Sequence, residues 1–443
     1  MRCLSVANIP GGYGKTEYAW IKILDDNPLI LEEIASEGLY EISASKIKEY
    51  REPRLMTKHD ASSGVPNPLS KRSLNVLPVS RTSYVLGEFL LFERFPDLSD
   101  LKPKHFPMPD YETLNSDTIT SEANAINALL VSGILEDFLD EENVVETFNG
   151  RMGSGDFSFS VDTVSGEPQT VDVHGAQIEI DGGFETADSV IIMEAKNVRY
   201  EDFLVRQLYY PFRKYHAFVN KPIRLVFSQY TDFTYYLFEY RFSDPDNYSS
   251  IELVNKAAYS LFDTQITSSE IWGAFESTHA LTDDNQADTD VPFVQADRVD
   301  RIISLMDKLS GEPDGLRTEE IAEFMQITDR QAAYYPAAGS YLGLFDRTTR
   351  GVTKLSKRGQ RVISMRYRDR QLAMVSAMFE HQIFRDLFQE TFTSGVLPEK
   401  RRVISLMKRY NVCNSGEKGA MYNRRSQTVL SWLKWIMGLA DEE

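Results

Sequence analysis

The stretch Gln177-Ile178-Glu179-Ile180-Asp181-Gly182-Gly183, followed after six residues by Val190-Ile191-Ile192-Met193-Glu194-Ala195-Lys196, decides the fold. Its first half alternates: Ile178 and Ile180 point to one face of a strand, and Gln177, Glu179 and Asp181 to the other. Its second half is apolar on both faces until its end, the pattern of a strand covered on both sides. The two glycines read as the break between two strands. If those strands pair, Asp181 comes beside Glu194 and Lys196, which lie two apart and share a face. Two carboxylates and a lysine then crowd one end of a buried sheet.

Like charges buried together are costly unless a cation lies between them. A hard ion such as Mg²⁺ takes one or two carboxylates plus waters and leaves room for a phosphate, so Asp181 and Glu194 are candidate ligands. A lysine two residues beyond the second carboxylate can hold the attacking water and offset developing negative charge. This pattern, an aspartate, twelve intervening residues, then Glu-x-Lys closing a buried strand, resembles the PD-(D/E)xK nuclease superfamily. The proline of that motif is absent, and Ile180 stands in its place. The plainer alternative is a strand end carrying a surface salt bridge.

A chain of 443 residues is too long for one core, so several domains are expected. No apolar run reaches the length of a membrane span, and the first residues lack a signal-peptide pattern. The two cysteines, Cys3 and Cys413, are too far apart in sequence to suggest a disulfide framework. That usage suits a reducing cytoplasm. Neither cysteine anchors a zinc cluster, and the six histidines are scattered. A net charge of −18 argues at first sight against nucleic acid. Its distribution points the other way: residues 347–370 hold nine lysines and arginines against Asp369 alone, and residues 400–434 hold nine against Glu417 alone.

Near the start, Gly11-Gly12-Tyr13-Gly14-Lys15-Thr16 invites a phosphate-loop reading, but Ile9 stands where the first glycine is required. Residues 17–35 read as helical with a break at Pro28. A helix over 44–50, a basic irregular segment over 51–81 and a strand over 82–94 follow, and the basic segment is a candidate DNA contact. Residues 121–139 read as one helix, with Ile126, Leu130, Ile134 and Phe138 on one stripe that Glu122 extends by a turn. Glu122 is thereby expected to point inward, where the resemblance to the nuclease superfamily implies an added metal or water ligand and a plain structural role is the alternative. Strands are expected over 144–148, 157–161, 171–181 and 190–196, a helix over 201–218 and a strand over 223–228. Arg206-Gln207-Leu208-Tyr209-Tyr210-Pro211 carries a helix-kinking proline, and Arg206 and Gln207 are expected to return toward a scissile phosphate. A strand over 235–242 and a helix over 251–262 complete this part.

Residues 278–294 are polar, acidic and aperiodic in large part, and read as a linker. Three helices, over 297–309, 318–325 and 328–335, precede a hairpin whose tip carries Arg347 and Arg350. That order spells a winged helix-turn-helix. Helices over 401–410 and 422–439 end the chain. The last opens Asn423-Arg424-Arg425-Ser426-Gln427-Thr428, a basic turn suited to phosphates or base edges, on an apolar body holding Trp432 and Trp435.

The expected fold class is therefore α/β, with an αβββαβ core like that of the restriction endonucleases. Its expected domains are an N-terminal α/β accessory domain (1–112), the nuclease domain (113–277), the linker (278–294), a winged helix-turn-helix (295–365) and a helical DNA-binding region (366–443). The set Gln-Ile-Glu-Ile-Asp, Glu-Ala-Lys-Asn and Arg-Gln-Leu-Tyr-Tyr-Pro resembles type II restriction endonuclease-like proteins. That resemblance implies Mg²⁺-dependent cleavage of double-stranded DNA at a specific sequence, as a homodimer paired with a cognate DNA methyltransferase. It carries over Asp181, Glu194 and Lys196 as the catalytic set. Two other classes stay open: a DNA-binding regulator on a nuclease fold that no longer cuts, and a modification-dependent or repair nuclease.

Overall fold

The computed structural model describes residues 14–98, 101–114, 119, 121–262, 265–281, 293–348, 351–412 and 419–440. The first glycine-rich motif lies mostly outside these residues, as do Cys3, Cys413 and Arg350.

Helices α1 (Lys15–Asp26) and α2 (Leu29–Glu37) are separated at Pro28, as its missing N–H requires. Then come β1 (Leu39–Ser43), α3 (Ala44–Lys48), α4 (Pro53–Thr57), α5 (Asn67–Ser70), β2 (Asn75–Pro78) and β3 (Ser83–Gly87). The three strands form an antiparallel sheet in the order β1-β3-β2. Trp20, wholly buried, anchors the small core beneath it and donates its indole N–H to the Met56 carbonyl at 3.0 Å.

The central unit contains β4 (Phe92–Arg94), β5 (Lys104–His105), α6 (Glu122–Val131) and α7 (Ile134–Leu139). The expected single helix over 121–139 is broken at Gly133, whose φ of +76° no helix accommodates. Next are β6 (Val145–Gly153), β7 (Asp156–Val161), β8 (Gln169–His174), β9 (Gln177–Glu185) and β10 (Val190–Lys196). The expected strand over 171–181 is in fact the end of β8 and the start of β9, divided at Gly175, and β8 pairs with β7 outside the main sheet. After β10 come β11 (Asp202–Leu204), α8 (Arg206–His216), β12 (Ile223–Thr231), β13 (Thr234–Phe242) and β14 (Ile251–Ser260). The helix expected over 251–262 is thus a strand. Lys256-Ala257-Ala258 favours helix locally, but antiparallel pairing along the whole of β13 overrides that preference.

The main sheet is seven-stranded, in the order β5-β14-β13-β12-β10-β9-β6, with β10 and β12 parallel. Every residue of β10 is buried, so the two-sided covering expected of it holds. Ile192 faces the core beneath α8, while Ile191, Met193 and Ala195 face α6 and α7. The glycine pair is not a break. Gly182 and Gly183 lie inside β9, whose first half pairs with β6 and whose second half pairs with both β6 and β10. A Cβ on Gly183 would fall on the Phe148 ring and carbonyl, and one on Gly182 would meet the Phe184 ring at 2.7 Å. Only glycine lets three strands meet there.

The C-terminal third shares one core. It holds α9 (Ser268–Ser277), α10 (Val299–Ser310), β15 (Leu316–Arg317), α11 (Thr318–Met325), α12 (Asp329–Ala332) and α13 (Tyr334–Tyr341). Strands β16 (Phe345–Arg347) and β17 (Val352–Leu355) form the expected hairpin, and β15 pairs on the other edge of β17. Helices α14 (Lys357–Ile363), α15 (Tyr367–Phe379), α16 (Gln382–Ser394), α17 (Lys400–Arg409) and α18 (Gly419–Met437) follow. Among the described residues no helix is long and apolar enough to cross a membrane.

Candidate functional site

The ladder between β9 and β10 ends at Gly182 opposite Met193, so Asp181 is next to Glu194 in register. Beyond that point a side chain continues the pairing: Asp181 Oδ2 accepts the Ala195 N–H at 2.9 Å. The sheet end is therefore closed by a side-chain carboxylate rather than by backbone.

Around it the expected residues converge. The Lys196 ammonium lies against Glu194, 3.8 Å from Asp181 Oδ2 and 3.7 Å from Glu122 Oε1, and donates to the Ala195 carbonyl at 3.1 Å. Glu122, at the first turn of α6, reaches the lysine from the other side of the sheet. Its side chain remains 45% exposed, so it turns toward the cluster while keeping an edge in solvent. Gln207, in the first turn of α8, donates its amide to Glu194. Arg206 beside it does not join the cluster; its guanidinium lies over the Tyr210 ring, 5.4 Å from the centroid. Pro211 lies inside α8, and Leu208, Tyr209, Tyr210 and Phe212 around it pack into the core.

The electrostatics follow from burial. Loss of solvent and the nearby Asp181 push Glu194 well above the usual carboxyl range, against the pull of Lys196. Glu122 is raised as well, first by desolvation and then by Asp181. Burial alone lowers a lysine, but Glu194, Glu122 and Asp181 together outweigh it and hold Lys196 well above its ordinary value. Three carboxylates around one ammonium leave an excess of negative charge when all are ionised. Among the described residues no His, Cys, Asp or Glu side chains close into a ready cage of three or more.

Asp60 is a buried carboxylate that sequence reasoning passed over. Asp60 is 6% exposed, and its charge acts on Glu122, Glu194 and Lys196. The available signal was slight: it is one of two acids, with Glu52, in the otherwise basic segment 51–81.

The basic candidates lie elsewhere. Arg347 is exposed at the end of β16. Helix α18 begins at Gly419, so Arg424 and Arg425 fall in its second turn rather than opening it. Arg424 and Gln427 are exposed, and Arg424 stacks over Tyr334, 4.7 Å from its centroid. Arg425 is only 5% exposed and faces the protein, so it is not presented outward as the expected basic turn required. Several bases of the two basic segments are engaged within the chain: Arg358 with Glu380, Arg368 with Glu270, and Arg402 with Glu390.

Three stretches match family models. Residues 17–86, 87–260 and 301–441 are each similar to a domain of unknown function, respectively DUF6996, DUF6997 and DUF7226. No curated protein and no solved structure matches the chain. Glu122, Asp181, Glu194, Lys196 and Gln207 all fall within the middle stretch.

Proposed function

We propose that the chain is a Mg²⁺-dependent endonuclease that hydrolyses phosphodiester bonds of double-stranded DNA at a specific sequence. In this reading α6 to β12 form a restriction endonuclease-like core, and α10 to β17 form a winged helix-turn-helix. The protein would work in the cytoplasm as a homodimer, alongside a methyltransferase that protects the same sequence. The observation that carries the reading is the convergence of Asp181, Glu194 and Lys196 at the end of β10, with Asp181 closing the sheet.

The donor set fits the metal that such a reaction uses. Carboxylates gathered in excess around one ammonium are what a hard dication neutralises, and the half-buried Asp181 and the buried Glu194 would hold it. When bound, the ion supplies polarisation of the phosphate and of a water. The chain's own residues supply the rest. Lys196, held protonated, donates hydrogen bonds to an incoming water or to a phosphate oxygen rather than accepting a proton. Gln207 fixes the orientation of Glu194. Glu122, raised and open to solvent on one edge, can take the proton released by the water.

Incubation of phage DNA with the protein and Mg²⁺ tests this. Discrete fragments are expected from the wild type and none from Asp181→Asn, whose amide oxygen still accepts from Ala195. Full cleavage by that variant removes Asp181 from the chemistry, and no cleavage by the wild type of methylated or unmethylated DNA removes the nuclease reading.

A further inference from the structure

We propose that Gln229 is a positioning residue of this site: its side-chain oxygen receives the Lys196 ammonium when a divalent cation takes Glu194 from it. The inference rests on the cation-assisted reading above and deepens it, by giving the lysine an acceptor while both carboxylates are occupied.

Register and face bring the two side chains together. In the parallel pair of β10 with β12, Lys196 is the partner of Gln229, as Ala195 is of Ser228 and Glu194 of Phe227. Partner residues of neighbouring strands lie about 4.8 Å apart and share a face. Packing fixes which face that is. Ile192 and its partner Leu225, with Phe227, lie in the core beneath α8, whereas Met193 and its partner Val226 lie in the core against α6 and α7. Glu194, Lys196 and Gln229 therefore emerge on the α8 side, at the end of the sheet where Gln207 donates to Glu194. On its other flank Gln229 pairs with Tyr236 of β13, and the Arg199 guanidinium is engaged over that ring, 4.9 Å from its centroid.

A glutamine buried there needs a reason. Its neighbours on this face, Leu225 and Phe227, are apolar, and Gln229 itself is 0% exposed. Its Nε2 reaches the Tyr200 carbonyl at 3.4 Å, while its Oε1 is buried and accepts no hydrogen bond among the described residues. A buried acceptor left unpaired is costly, and leucine or methionine would fill the space without that cost. The ammonium has the opposite need. It lies against Glu194 and donates to the Ala195 carbonyl at 3.1 Å, with Glu122 at 3.7 Å and Asp181 at 3.8 Å. A dication held by Asp181 and Glu194 turns their lone pairs to itself and repels the ammonium. Lys196, rooted in a wholly buried strand, then requires a nearby acceptor that the cation does not occupy. Gln207 Oε1 is also unpaired, but its amide is tied to Glu194, the group that the cation takes. Gln229 is held on the adjacent strand, carries no charge and has an oxygen open to a donor. One charge-assisted hydrogen bond from Lys196 satisfies both groups.

Binding of Mn²⁺ to the full chain, read from the free-ion electron paramagnetic resonance signal, tests the assignment through a double-mutant cycle with Lys196→Met. Gln229→Leu is expected to weaken Mn²⁺ by about tenfold, the weight of one hydrogen bond to a charged group. In the Lys196→Met background the same substitution is expected to change binding by less than about twofold, because the donor that Gln229 serves is gone. Urea unfolding in EDTA shows that the variants keep the fold, and Gln229→Met takes the place of leucine if leucine does not pack. Equal losses in both backgrounds mean that Gln229 acts on the fold or on the cation directly, and overturn the proposal. Unchanged binding in Gln229→Leu while Asp181→Asn loses it overturns it too, as does loss of binding in Lys196→Met alone, which shows that the lysine does not compete for Glu194. Absence of saturable Mn²⁺ binding in the wild type overturns the proposal together with the cation reading. A coupled loss in a protein that cuts no DNA supports the proposal and removes the nuclease reading alone.

Discussion

Lys196→Met isolates what the ammonium contributes, because methionine keeps most of the unbranched side chain and deletes its charge. Lys196 is 8% exposed, lies against Glu194, and sits 3.7 and 3.8 Å from Glu122 and Asp181. Removing one partner of a buried ion pair costs about 3–5 kcal/mol when the remaining charge stays ionised. Here the orphaned groups are acids, which have a second course open to them: they can bind a proton. Glu194 is already raised by burial and by Asp181, and without the lysine it rises further. A carboxyl with a higher pKa folded than unfolded carries more protons in the folded state, so stability falls as pH rises past about 4.3. The variant is therefore expected to lose about 3 kcal/mol near pH 8 and much less near pH 5. Urea unfolding at the two pH values measures both, and millimolar Mg²⁺ is expected to restore part of the loss at the higher pH. A loss of the same size at both pH values, or none at either, refutes the picture of a lysine that offsets buried carboxylates.

Gly183→Ala places a methyl on the Phe148 ring and carbonyl and is expected to lower unfolding stability by about 1–3 kcal/mol in urea. Burial pushes Asp232 up to about 7 despite the nearby Arg370, so folding is expected to weaken as pH rises from about 4 to that value. Asp232→Asn, tolerated in the left-handed turn that Asp232 occupies, is expected to flatten that part of the urea stability profile. If α18 meets a duplex, Arg424→Ala is expected to shallow the salt dependence of DNA binding by about one unit of slope, measured by fluorescence anisotropy. No change in slope moves the DNA face toward Arg347.

The cluster at the sheet end was legible because a strand's period is local. Once Ile178 and Ile180 set one face, Asp181 had to lie on the other, and an apolar run ending Glu-Ala-Lys had to bring its charges to a rim. The glycine pair was misread because punctuation and close packing use the same residue, and only the neighbouring Phe148 tells them apart. The strand over 251–260 was hidden by helix-forming residues, since pairing with β13 is a long-range effect. Arg425 shows the limit of charge patterns: a basic turn on a helix does not say which of its arginines faces inward. Asp60 had no period at all, and its place depends on Leu204 and Gln326, far along the chain.

The bond from Ala195 to Asp181 couples two properties that usually vary independently. A short acceptor at position 181 is needed to finish the sheet, whatever chemistry the site performs. Replacing Asp181 with an apolar residue would lose that bond whether or not the site performs a reaction, whereas asparagine would keep it. Removal of the charge at this position is thus steered toward an amide, and an asparagine at 181 beside an intact lysine would keep the sheet end while giving up the carboxylate.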